Sequence, residues 1–194
     1  MADRRMKKAE KTRRTIVETG MALFKEQGVE NTSMESIAAA CDIAKGTLYN
    51  HFHCKEAIIA SYMRQKFSGG YFEETFREAE TMRDRLRVVL KSLGVSINEN
   101  QEIFERYLVY QMQHLVSFEE KPTLESGFKK IGDYIIEKGL ESGEIQSALP
   151  KLVLREFFEF IFIEMVKQIY KMGVVEDALV EAHIDLFMSG VTKA

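Results

Sequence analysis

Apolar residues recur along this chain at the three- and four-residue spacing that lines one face of a helix. Ile16, Gly20, Leu23 and Phe24 form the first such stripe, which predicts a helix from about Thr12 to Gln27, stopped by Gly28. Met34, Ile37, Ala38 and Cys41 supply the buried face of a short second helix, whose start Thr32 and Glu35 mark in capping-box order. Asp42 tolerates the left-handed backbone of a tight turn, and Ile43 dips back into the core. Leu48 and Phe52 then share the inner face of a third helix, Lys45 to His51, which leaves its polar residues outside.

A fourth helix begins near Lys55 and carries Ile58, Ile59, Tyr62, Met63 and Phe67 outward to Ser68-Gly69-Gly70, where paired glycines predict a bend. That helix is expected to be the only rigid bar joining the two halves. Five further segments follow: Arg83 to Ile97, Glu102 to Ser117, Thr123 to Ser142, Pro150 to Met172 and Glu176 to Ser189. The expected fold is all-α, with nine helices in two domains. Residues 1–54 would hold the helix-turn-helix behind a loose basic arm, 1–11, and residues 55–194 the remainder. The stretch FFEFIFIEMV, Phe157 to Val166, is apolar on nearly every side and must be covered all round. In a chain this small, part of that cover is expected from a second copy, pairing this helix and the last one (Leu179, His183, Leu186, Phe187) across a two-fold axis.

Charge sharpens the division. The net charge of −3 argues by itself against a nucleic-acid protein. Yet residues 1–66 carry 12 Lys and Arg against 8 Asp and Glu, while the remainder carries 15 against 22. Only the amino-terminal part can face phosphate. The arm, with Arg4, Arg5, Lys7 and Lys8, is either a solvated tail or a source of phosphate and minor-groove contacts. Two cysteines, no signal-like apolar start and no run of about 18 apolar residues predict a cytoplasmic chain without a membrane span.

The exposed side of the third helix offers a cation, a hydroxyl, a phenol, an amide and an imidazole within two turns. Lys45, Thr47, Tyr49 and Lys55 suit phosphates, Asn50 and His51 can reach base edges, and Gly46 lets another backbone come close. Ile37-Ala38, Lys45-Gly46-Thr47-Leu48-Tyr49, Phe52 and Lys55-Glu56, with Gly28 and Thr32, resemble the amino-terminal domain of TetR-like transcriptional regulators. Thr32 joins the expected DNA-binding set on that likeness. Asp42, Ala44 and Cys54 depart from the pattern, standing where glycine and two capping residues are common, which weakens two helix starts. The resemblance implies a homodimer joined through its last two long helices. Two reading helices would then enter successive major grooves of a near-palindromic operator, about 34 Å apart.

The same resemblance implies an apolar small-molecule effector held in the carboxy-terminal domain. Thirteen Phe, ten Met and no Trp would suit an elongated or aromatic ligand. Candidate lining residues are Phe67, Tyr71, Phe104, Tyr107 and Leu108 before residue 110, and Met112, Phe128, Ile131, Phe158 and Phe162 after it. Tyr107, Tyr110, Gln111 and His114 are candidate polar handles. An ordinary core rich in Phe and Met would look the same along the sequence.

Other chemistries have weaker support. Cys41, His51, His53 and Cys54 are metal-ligand types at poor spacing, and no metal or cofactor is expected. Cys54 at a helix start would be an oxidation sensor if its pKa were lowered. The chain lacks HExxH, GxSxG and a phosphate-cradling glycine loop, so an enzyme is not expected. A DNA-binding protein without any effector remains the main alternative to a ligand-released repressor.

Overall fold

The computed structural model describes residues 2–66, 74–115, 127–173 and 176–191, and every regular element among them is a helix. Nine helices have both ends among the described residues: α1 (Ala2–Gln27), α2 (Met34–Ala40), α3 (Lys45–His51), α4 (Lys55–Lys66), α5 (Met82–Glu99), α6 (Gln101–Leu115), α7 (Gly127–Ser142), α8 (Lys151–Met172) and α9 (Asp177–Val191). The chain divides into two compact units. One comprises residues 1–65 and 100–124, and the other residues 66–99 and 125–194.

In the amino-terminal unit α1 packs on α2 and α2 on α3. Ile16, Val17, Phe24, Ile37, Leu48, Phe52 and Ile58 are fully or almost fully buried. Gly20 makes the close approach possible: a Cβ there would lie 3.1 Å from Ile58 Cγ2. Gly28 ends α1 with φ of 85°, a left-handed position that any larger side chain would strain.

Several local expectations are corrected. The arm expected to be loose is the first part of α1, which runs unbroken from Ala2. The capping box at α2 is Ser33 with Ser36, not Thr32 with Glu35: Ser36 N–H donates to Ser33 Oγ at 3.0 Å and Ser33 N–H to Ser36 Oγ at 3.1 Å. Cys41, expected on the buried face, caps the carboxy end of α2 and is only half-buried. Helix α4 is not the only segment joining the halves, because α6 belongs to the same compact unit as α1 to α4 and the chain crosses between units at 99–100 as well as at 65–66. The expected boundary at residue 54 and the compact units therefore do not coincide. The bend at Ser68-Gly69-Gly70 and the start of the segment from Thr123 lie outside the described residues.

In the carboxy-terminal unit α8 is the central helix, contacted by α5, α7 and α9. Leu154, Phe158, Ile161, Phe162, Met165, Val166 and Ile169 form its buried face. Small residues allow this packing: a Cβ on Gly132 would lie 2.8 Å from Phe158 Cδ1, and one on Gly190 would lie 2.6 Å from Phe157 Cε1. Within one copy, Phe157–Val166 is covered over only part of its surface, and the expected cover from a second copy is not present in a single chain. Phe160 is 65% exposed, and Leu186 on α9 is 54% exposed. Ion pairs join α5 to α9, where Arg87 meets Glu181 at 2.5 Å and Arg83 meets both Glu181 and Asp185.

Candidate nucleic-acid interface

The turn between α2 and α3 explains why Asp42 can stand where glycine is common. Asp42 has φ of 51°, in the left-handed region. Its N–H donates to Ala39 O at 3.1 Å, and Ile43 N–H donates to Ala38 O at 3.0 Å. This pair of bonds is the Schellman arrangement, which satisfies the last carbonyls of α2 and turns the chain sharply into α3. Ala44 caps α3 without a side-chain hydrogen bond, as the missing hydroxyl predicts.

Burial orients α3. Leu48 and Phe52 are anchored in the core, so Lys45, Gly46, Tyr49 and Asn50 stand exposed, and Thr47 and His51 are half-buried. A Cβ placed on Gly46 would meet nothing within 4 Å. Another molecule's backbone can therefore approach α3 at that position.

Two of the expected DNA contacts are placed elsewhere. Thr32 is 1% exposed; its hydroxyl donates to Gly28 O at 2.8 Å and accepts from Gln27 Nε2 at 3.0 Å, closing the loop after α1. Lys55 turns its ammonium inward and donates to Val29 O at 2.6 Å. Both side chains are engaged with the loop after α1, so a phosphate cannot reach the buried Thr32 and must compete for Lys55.

Lys45 forms an ion pair with Glu35, which holds the Glu35 carboxyl below its ordinary range, and its ammonium lies 5.7 Å from the centre of the Tyr49 ring. The pair is exposed, so an incoming phosphate can displace Glu35 at little cost. Arg13 went unnoticed in the sequence because nothing local distinguishes it from its basic neighbours. Its guanidinium lies 4.2 Å from the centre of the Phe52 ring, donates to the His51 carbonyl at 3.2 Å and reaches Ser61 Oγ at 3.5 Å. A cation on the last carbonyls of α3 suits the helix dipole and ties α1, α3 and α4 together.

Cys54 does not meet the condition set for an oxidation sensor, because burial pushes its thiol pKa up and disfavours the reactive thiolate. Among the described residues, no three His, Cys, Asp or Glu side chains converge as metal ligands. No described helix is long and apolar enough to cross a membrane.

The expected effector-lining residues fall in both units. Phe104 and Tyr107 on α6 are buried in the amino-terminal unit, where Leu108 is half-buried and Met112 exposed. Ile131, Phe158 and Phe162 are buried in the carboxy-terminal unit. Phe67, Tyr71 and the side chains of Phe128 and His114 lie outside the described residues. A groove of about 430 Å³ in the carboxy-terminal unit is bordered by Glu74, Thr75, Arg77, Glu78, Ala79, Asp84, Arg87 and Val88, a lining of mixed polar and apolar character.

Residues 16–62, which run from the middle of α1 through most of α4, match the family model for bacterial regulatory proteins of the tetR family. The chain is 25% identical over 146 residues to the fatty acid metabolism regulator protein of Bacillus subtilis, covering 73% of this chain and 74% of that protein. It is 38% identical over 65 residues to the HTH-type transcriptional regulator UidR of Escherichia coli, a match spanning 34% of this chain but only 33% of UidR. In fold it is similar to the Thermus thermophilus FadR, a TetR family transcriptional repressor solved in complex with lauroyl-CoA. The TM-score is 0.70 at 21% identity, covering 94% of this chain and 97% of that one.

Proposed function

We propose that this chain, a TetR-like transcriptional regulator, works as a homodimeric cytoplasmic repressor released from its operator by an effector of the acyl-CoA class, whose acyl chain is the apolar part. The observation that carries the DNA-binding part is the outward face of α3. Lys45, Gly46, Tyr49 and Asn50 stand exposed on a helix that Leu48 and Phe52 fix rigidly, within the matched stretch. Lys45, Thr47 and Tyr49 would hold phosphates, and Asn50 and His51 would read base edges. Lys55 would reach a phosphate only by giving up Val29 O.

A single α3 reads too few base pairs for specificity, and a two-fold pair would read two half-sites. The exposed Phe160 on α8 and Leu186 on α9, beside the stacked Phe157 and Phe187 rings 5.6 Å apart, support a partner copy on that face. Sedimentation should give a species of twice 22.4 kDa, and Phe160→Glu should shift it toward the monomer. The effector class draws on the Bacillus relative, a regulator of fatty acid metabolism, and on the lauroyl-CoA bound by the Thermus protein. Within this chain it draws on the buried apolar side chains Ile131, Phe158 and Phe162. The acyl chain would lie among such residues, and it can release DNA only by binding more tightly to the form whose reading heads do not fit the operator.

The test is a labelled duplex, recovered by selection, titrated with lauroyl-CoA in an anisotropy assay. Release by lauroyl-CoA but not by free coenzyme A is the expected result. Retention of the duplex at saturating acyl-CoA of every chain length would reject the effector class while leaving the DNA-binding reading standing.

A further inference from the structure

The chain re-enters the amino-terminal unit at Asn100, and two residues later Glu102 commits both carboxylate oxygens to that unit. Oε2 accepts from Val29 N–H and Oε1 from Glu30 N–H, each at 3.1 Å. These amides follow the left-handed Gly28 that ends α1. A carboxylate spanning two consecutive amides makes a charge-assisted, directional pair, stronger and more orienting than a surface ion pair. The fit is close, since a Cβ on Gly28 would lie 3.3 Å from Glu102 Oε2.

The same face of α6 continues the attachment at four-residue steps. Arg106 pairs with Glu30 and reaches Glu56 at 3.7 Å, and the Tyr110 ring stands 6.4 Å from that of His53. Glu102, Arg106 and Tyr110 thus touch the loop that leads into α2, the first turn of α4, and the turn that leaves α3. Those are the segments that determine where α3 points.

We propose that Glu102 is a positioning residue for DNA recognition, a clasp through which α6 sets the angle of the helix-turn-helix. The assignment rests on the regulator reading above. A carboxylate that merely stabilised the fold would, on removal, leave the surviving folded molecules reading DNA with the same selectivity. A positioning carboxylate instead sets the ratio of specific to non-specific binding, because base contacts need the correct angle and phosphate contacts tolerate error.

The experiment uses full-length Glu102→Ala and Glu102→Gln, with folding checked by circular dichroism. Each is measured for affinity to the selected operator and to a scrambled duplex of equal length at one salt concentration. Amide hydrogen exchange is followed at Val29 and Glu30. In Glu102→Ala the two amides should exchange about tenfold faster, and the operator-to-scrambled ratio should fall about tenfold with scrambled binding unchanged. Glu102→Gln keeps one accepting oxygen and should fall between. Faster exchange with an unchanged ratio would reduce Glu102 to a structural brace and overturn the proposal; unchanged exchange would overturn it by removing the clasp itself. A parent protein that does not distinguish operator from scrambled duplex sinks the regulator reading and this role together, whatever the exchange shows.

Discussion

Gly46→Ala separates folding from DNA binding more cleanly than any other single change. Gly46 lies in the first turn of α3, outside the left-handed backbone region, and its added Cβ would meet no atom of the protein within 4 Å. Alanine is favoured over glycine within a helix by up to about 1 kcal/mol, so the variant should be as stable as the parent or slightly more so. For a chain of this size that is a rise of about 2–4 °C in Tm. If a sugar-phosphate backbone packs against α3 at this point, the same methyl group has to push it back. A loss of about 1–2 kcal/mol, roughly a 5- to 30-fold weaker complex, is the expected outcome. Urea unfolding gives the first quantity and anisotropy with the selected operator the second. A variant at least as stable as the parent that binds the operator with undiminished affinity would refute the close approach and, with it, the docking of α3 in the groove.

Lys45→Ala should weaken binding to every sequence and reduce the salt slope by about 1, whereas Asn50→Ala should relax preference at one base pair by about 1–3 kcal/mol; titrations at several salt concentrations against single-base variants distinguish the two. A Cβ on Gly139 would lie 2.7 Å from Met82 Sδ and 2.8 Å from Ile145 Cγ1, so Gly139→Ala should destabilise the carboxy-terminal unit by about 1–3 kcal/mol in urea unfolding, and an unchanged midpoint would show that this packing yields freely. Hydrogen bonds from Arg87 and Arg83 hold Glu181 below its ordinary pKa, and those from Thr81 and Arg87 do the same for Asp84. Carboxyls lowered in the folded state contribute stability that is present above their unfolded pKa and lost as pH falls through the lower folded one. Thermal unfolding followed from pH 7 down to pH 3 should therefore show a loss that is smaller in an Arg83→Ala, Arg87→Ala double variant; an identical acid profile would remove these pairs from the account.

The helix-turn-helix was legible because its signals are local. Asp42 advertised a left-handed turn, and Leu48 and Phe52 fixed the buried face of α3. Its boundaries at Lys45 and His51 then followed from four-residue spacing. The cap of α2 was missed by one residue, because Thr32 and Ser33 are both hydroxyl-bearing and only burial decides between them: Thr32 is inside and Ser33 outside. Spacing alone could not reveal Lys55 reaching Val29 O, Arg13 on Phe52, or Glu102 on Val29 and Glu30, since each joins residues 26 to 73 positions apart. The basic arm was expected to be loose, yet its residues continue the α1 helix that Ile16 and Phe24 anchor. The carboxy-terminal aromatic residues gave no comparable signal, because a packed core and a cavity wall have the same periodicity.

The most direct measurement is an unbiased selection of random duplex DNA by the purified full-length chain, sequenced after several rounds. The account predicts enrichment of two inverted half-sites centred about 34 Å apart along the helix axis, one for each α3 of a dimer. A pool that stays random, or a single enriched half-site bound by a 22.4 kDa monomer, would contradict it.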